Sequence, residues 1–220
     1  MTTNLHIDFV SDIACPWCAV GLASLDVALK RLSPDIQAEI HFQPFELNPH
    51  MGPEGQDMTE HLTQKYGYTP EQQAQSRDAI RQRGAAAGFE FKPEGRGRIW
   101  NTFDAHRLIH WAGTLSLEAQ YALKIELLKA YHGRAEKVSD PAVLTQAAHR
   151  AGLDTLKAQE VLNSDQYALE VRASEQEWQR AGIHSVPAAV VNRKYLISGG
   201  QPVEAFEQAL RKIAQDSEVP

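Results

Sequence analysis

The 220-residue chain contains two cysteines, set three positions apart as Cys15-Pro16-Trp17-Cys18. Thiols at this spacing suit disulfide exchange, in which one thiolate attacks and a second thiol releases the mixed disulfide that results. At the start of a helix the two are unequal. Cys15 meets the unpaired N–H groups and the positive dipole end, which favour its anion, while Cys18 sits one turn in and suits the resolving role. Pro16 belongs in the first turn, where no N–H is lost. Trp17 adds a large amphipathic surface beside the sulfur but no charge. These two residues are the first candidate substrate contacts. The same spacing also forms half of a zinc site. A structural site needs four ligands, and the only complement is the pair His106 and His110, which reads more simply as a histidine face of a helix. No metal is expected.

A second chemical element is Val186-Pro187, before an apolar run. The residue preceding a proline is held extended, and Pro cannot donate to a sheet. The rarity of cis peptides favours trans here; a cis bond would turn the Val186 backbone toward a ligand.

The elements that position these residues follow from hydrophobic period. Residues 5–10 alternate as a strand. The Cys motif follows a break at Ser11-Asp12, then Val20, Leu25, Leu29 and Leu32 mark one face of a helix that Ser33-Pro34 ends. Residues 38–43 form a second strand, and the crossover implies parallel pairing. From 57 to 182 the texture is helix after helix. Thr69-Pro70 and Asp140-Pro141 are start signals. Stripes run through Met58, Leu62 and Tyr66; Ala105, Leu108, Ile109 and Ala112; Leu117, Tyr121, Ile125 and Leu128; and Val143, Leu144, Ala147, Ala148 and Ala151. The segment 84–97 reads as a loop. Ala188–Val191, a turn at Asn192-Arg193 and residues 194–198 make a hairpin. A helix opened by Pro202 then buries Val203, Phe206, Leu210 and Ile213. The expected organisation is an α/β core from 1–56 and 183–220, with a helical insertion at 57–182.

A net charge of -6 argues against a nucleic-acid partner, because phosphate binding needs a basic face. The apolar fraction of 43% is ordinary for a globular chain, and no run is long enough to span a membrane. The first residues lack signal-peptide features, so the cytoplasm is the expected compartment, where a Cys pair stays largely reduced.

Ser11–Cys18 followed by Gly21 resembles the DsbA-like thioredoxin family, in particular its FrnE-type branch. Residues 44–49, 101–108 and 185–187, leading to 195–202, resemble that branch in the same order along the chain. The resemblance implies a thioredoxin-like fold, a mixed four-stranded sheet interrupted by an all-helical domain, and a cis Pro187 facing Cys15. Val186 and Pro187 would line a groove for an extended peptide or glutathione. Asn101 and His106 would lie over the site, although Asn101 also reads as a helix cap and His106 as a packing residue. The implied activity is disulfide exchange with protein or small-molecule thiols, without a tightly bound cofactor, glutathione serving as a candidate co-substrate and a homodimer as a candidate assembly. Trp17 stands where DsbA proper has His, which weakens the expectation of strong oxidase behaviour.

Two rival readings remain. One is a glutathione-dependent isomerase or transferase, like the 2-hydroxychromene-2-carboxylate isomerases and kappa-class transferases, with Trp100, Phe103 and Trp111 lining an apolar pocket. Those families usually carry Ser in place of Cys15. The other is a redox-sensing binding module.

Overall fold

The computed structural model describes residues 2–218; Met1, Val219 and Pro220, the ends of the expected core segments, lie outside the described residues. Strand β1 (Thr3–Ser11) sends Leu5, Ile7 and Phe9 into the main core, while His6, Asp8 and Val10 face the other side. Helix α1 (Pro16–Leu32) and strand β2 (Ile36–Pro44) follow, and β2 pairs in parallel with β1 as the crossover required. Strand β5 (Ala188–Val191) runs antiparallel to β1 and β6 (Tyr195–Ser198) antiparallel to β5, giving the order β2-β1-β5-β6. Asn192 and Arg193 both take positive φ, the backbone of a tight hairpin turn that matches strand twist. Helix α9 (Val203–Glu218) packs on α1 and buries the four residues its pattern named.

Between β2 and β5 lie α2 (Met58–Tyr66), α3 (Pro70–Ala86), α4 (Phe103–Leu115), α5 (Leu117–Leu128), α6 (Pro141–Arg150), α7 (Thr155–Leu162) and α8 (Ala168–Arg180). A π-helical turn, Lys129–Gly133, extends α5. The block also carries a two-residue antiparallel ladder, β3 (Gln56–Asp57) with β4 (Arg98–Ile99), too short to show any alternation in sequence. One apolar cluster runs without a break from β1 and α1 through α4, α5 and α7.

Three local expectations shift. Helix α3 continues through Gly84 to Ala86, so the loop starts later than the sequence suggested. Gly84 is buried because the Phe91 ring sits where its Cβ would be, at 2.5 Å. The Met58-Leu62-Tyr66 stripe does not face the core; His61 is the buried residue of α2, and Tyr66 is exposed. On α5 the stripe holds in part: Leu128 is fully buried and Tyr121 and Ile125 pack half-buried on the core, but Gln120, Leu123, Lys124 and Leu127, outside the stripe, are buried as well. Gln120 turns inward to bond the backbone of β2. Its Oε1 accepts from the Phe42 N–H at 3.0 Å and its Nε2 donates to the Phe42 carbonyl at 3.3 Å, completing the outer edge of β2 as a neighbouring strand would.

Candidate active site at the tip of the first helix

Cys15 occupies the N-cap of α1, with Pro16 in the first turn, and the Cys18 N–H donates back to the Cys15 carbonyl at 3.1 Å. Both thiols are free. Cys15 is 5% exposed and Cys18 fully buried. Their acidities diverge. Hydrogen bonding from the Cys18 thiol is the largest influence on Cys15 and outweighs burial, with backbone N–H groups of Cys18 and Trp17 assisting, so its pKa falls below the ordinary thiol value. Burial, then the neighbouring Cys15, push the Cys18 pKa well up. Such an ordering is what disulfide exchange requires of an attacking and a resolving thiol.

The Val186-Pro187 peptide is cis, as the family resemblance implied. The Cys15 thiol donates to the Val186 carbonyl at 3.7 Å, which brings the two sequence-distant motifs together. Pro187 packs on α1: a Cβ on Gly21 would meet Pro187 Cγ at 3.1 Å and Gly200 Cα at 3.2 Å. Trp17 is held between elements. A Cβ on Gly200 would meet the Trp17 carbonyl at 2.8 Å, and the Arg83 guanidinium of α3 lies 5.6 Å from the Trp17 ring while donating to the Gly200 carbonyl at 2.7 Å.

His106 reaches the site at one remove. Its Nε2 lies 3.4 Å from Oδ1 of Asp12, a fully buried carboxylate that also accepts from Thr102 Oγ1 at 2.8 Å and from the N–H groups of Ala14 at 3.0 Å and Leu47 at 2.7 Å. Burial alone would raise the Asp12 pKa. Hydrogen bonding to His106 and its charge, followed by those backbone donors, more than offset it, so the group stays ionised. Asn101 takes the capping role: its Oδ1 accepts from the Phe103 N–H at 2.9 Å, and its Nδ2 donates to the Met51 carbonyl at 3.3 Å. His110 instead lies tilted against Tyr167, the ring centroids 5.3 Å apart. Trp111 is core, Phe103 lies under the Arg172 guanidinium, and Trp100 lies between Arg98 and Lys137.

Several residues of the site were not singled out from sequence. The three residues before Cys15 are each gripped by the helical block. Thr102 and His106 hold Asp12, His132 Nε2 donates to the Ile13 carbonyl at 2.9 Å, and Arg96 Nη1 donates to the Ala14 carbonyl at 2.8 Å. Arg96 also donates to His132 Nδ1 at 3.1 Å, so that ring is neutral with its proton on Nε2. Burial, then Arg96, hold the His132 pKa well below the usual value, in agreement with those bonds. Lys124 is buried behind the pair, its ammonium 5.6 Å from the Phe42 ring. Desolvation lowers its pKa to about 8, against the opposing pull of Cys18, Asp12 and Cys15. Only Asp12, a fixed three residues ahead of the first Cys, carried a local signal.

A family model for the DSBA-like thioredoxin domain matches residues 6–211. A solved structure of a probable DsbA oxidoreductase from Streptomyces coelicolor is 35% identical, covers 98% of this chain and 92% of its own, and superposes with a TM-score of 0.89. A curated relative from Bacillus subtilis, the uncharacterized protein YwbO, is 24% identical over 94% of this chain and 96% of its own. The cytosolic disulfide reductase DsbM of Pseudomonas aeruginosa, solved with GSH, is 13% identical with a TM-score of 0.64, covering 96% and 99%, and shares the fold.

Proposed function

Because the chain belongs to the DSBA-like thioredoxin domain family, we propose that it is a thiol–disulfide oxidoreductase whose redox centre is Cys15-Pro16-Trp17-Cys18. The observation that carries this reading is the meeting of a thiol of lowered pKa with the Val186 carbonyl, over a buried second thiol of raised pKa. In the reducing direction the Cys15 thiolate attacks a substrate disulfide, forming a Cys15–substrate disulfide and expelling one substrate thiolate. Cys18 then loses its proton and attacks Cys15 Sγ, releasing the second thiol. The Cys pair is oxidised by two electrons and the substrate reduced by two; the oxidising direction is the reverse.

The substrate class we assign is a protein or small-molecule thiol with an extended backbone beside its sulfur. The backbone at Val186 offers polar groups to such a chain, and Pro187, Pro16 and Trp17 offer apolar surface. Glutathione meets that description and is the proposed co-substrate. The cytoplasm, where glutathione is abundant and Cys pairs are kept reduced, is the proposed compartment. Among the described residues no helix is long and apolar enough to cross a membrane.

The test is a trap. Cys18→Ala protein incubated with glutathione disulfide, or with an oxidised model protein, is expected to accumulate a covalent adduct on Cys15, found by mass spectrometry and released by dithiothreitol. Cys15→Ala protein is expected to form none and to lose insulin reduction. Absence of any adduct, together with full activity in Cys15→Ala, would overturn the proposal.

A further inference from the structure

A second cluster of chemical groups lies on the sheet, away from the sulfurs and independent of the redox reading. In the parallel register of β1 and β2, His6 stands opposite Glu39 and Asp8 opposite His41. Alternate residues of a strand share a face, so the four side chains form a two-by-two patch, imidazoles on one diagonal and carboxylates on the other. The patch sits toward the start of β1. At about 3.3 Å per residue, roughly 17 Å of strand separate His6 from Ser11, before the turn into Cys15.

The groups are already gathered. The imidazole rings of His6 and His41 stack with centroids 4.3 Å apart. The ligand atoms of His6, Glu39 and His41 all lie within 4.8 Å of one another. Asp8, 2% exposed, lies 3.0 Å from His6 Nε2 and is itself fixed by Gln43 Nε2 at 2.7 Å. A carboxylate behind a histidine is the usual means of orienting a metal-ligating ring. His41 Nε2 is buried without a hydrogen-bond partner, the Glu39 carboxylate standing off at 3.9 Å. A buried polar atom left unpaired is costly, and a bound cation would remove that cost.

We propose that His6, Glu39 and His41, with Asp8 orienting His6, form a binding site for a divalent cation of the zinc class. Two imidazoles and a carboxylate suit zinc and its borderline neighbours, whereas calcium and magnesium favour all-oxygen shells. Zinc–ligand bonds of about 2.0–2.2 Å require the three groups to close by roughly an ångström and the stacked rings to splay. Side-chain exposures of 34% for His6, 31% for His41 and 74% for Glu39 leave room for those rotations and a path for the ion. The bound ion would tie the edge strand β2 to β1.

The experiment uses tag-free Cys15→Ser/Cys18→Ser protein, so that no thiolate competes, titrated with Zn²⁺ against a chromophoric chelator. The expected result is one Zn²⁺ per chain, undiminished by equal concentrations of Ca²⁺ or Mg²⁺. Affinity should fall at least tenfold in Asp8→Asn, and by more in the His6→Ala/His41→Ala double variant. Glu39→Gln, at an exposed position that leaves folding intact, should also weaken binding. Failure of the parent to bind zinc, or equal affinity in parent and Glu39→Gln, overturns the proposal. So does equal affinity in a double variant of native circular dichroism.

Discussion

Cys15 keeps its proton weakly because the Cys18 thiol hydrogen-bonds to it at the cap of a helix, although burial and the Asp12 charge both push the other way. Cys18 has burial and Cys15 against its anion, and Lys124 as a cation in its favour. Iodoacetamide should therefore modify Cys15 with a pH midpoint below that of a free thiol. In Cys15→Ser protein, Cys18 should react only at a distinctly higher pH; a single shared midpoint near the free-thiol value would contradict this ordering. Lys124 itself has a lowered pKa, so the folded state disfavours its ammonium. That penalty is absent well above the unfolded value near 10.5, grows as pH falls from there to about 8, and is constant below. Lys124→Met should accordingly be more stable than the parent at pH 7, by on the order of 2–3 kcal/mol, with the gain vanishing only above the unfolded pKa. The same variant should prolong the life of the Cys15 mixed disulfide, since the cation that favours the Cys18 thiolate is gone. Urea melts and quenched-flow trapping separate the two effects.

The elements act on the site through the three-residue approach to Cys15. Backbone carbonyls at Ile13 and Ala14 would be buried and unpaired without the π-turn's His132 and the loop's Arg96, and each such loss costs on the order of 1–3 kcal/mol. Arg96→Met should therefore lower stability by that amount. It should also slow Cys15 exchange by roughly tenfold or more, because a small displacement of a reacting atom is expensive. An unchanged exchange rate in a folded variant would show that the clamp only stabilises. Helices α1 and α5 also meet where Tyr121 donates to Asp26. Burial raises the Asp26 pKa to about 6, although the Tyr121 bond and Lys30 oppose it. A raised carboxyl pKa contributes stability that is whole below the unfolded value near 3.8 and disappears as pH climbs through about 6. Asp26→Asn should remove that part of the pH dependence and gain on the order of 2–3 kcal/mol at pH 8, measured by chemical denaturation at several pH values.

The main apolar cluster runs from the sheet into the helical block, a smaller one lies on the sheet's other side, and the block holds the approach to Cys15, closes the edge of β2 through Gln120, and covers Trp17 through Arg83. Much of this was legible in order along the chain. Period-two and period-3.6 patterns marked β1, α1, β2, the hairpin and α9, because side chains there repeat at the period of the local backbone. The Cys pair and its place at a helix start were legible, because the spacing and the helix end are both local. The stripe on α5 caught Leu128 but not Gln120 and Lys124, which turn inward to answer partners 78 residues away and at the buried thiols. Arg96, His132 and Thr102 carried no sign at all, because what each satisfies is a backbone or carboxylate oxygen far off in sequence. Thus residue order alone determined the sulfur pair, the helix that carries it and the strands around it, through short-range period and capping. Only tertiary contact decided which side chains ionise, which backbone oxygens are held, and that Val186 meets Cys15, because desolvation and hydrogen bonding depend on neighbours that no local window contains.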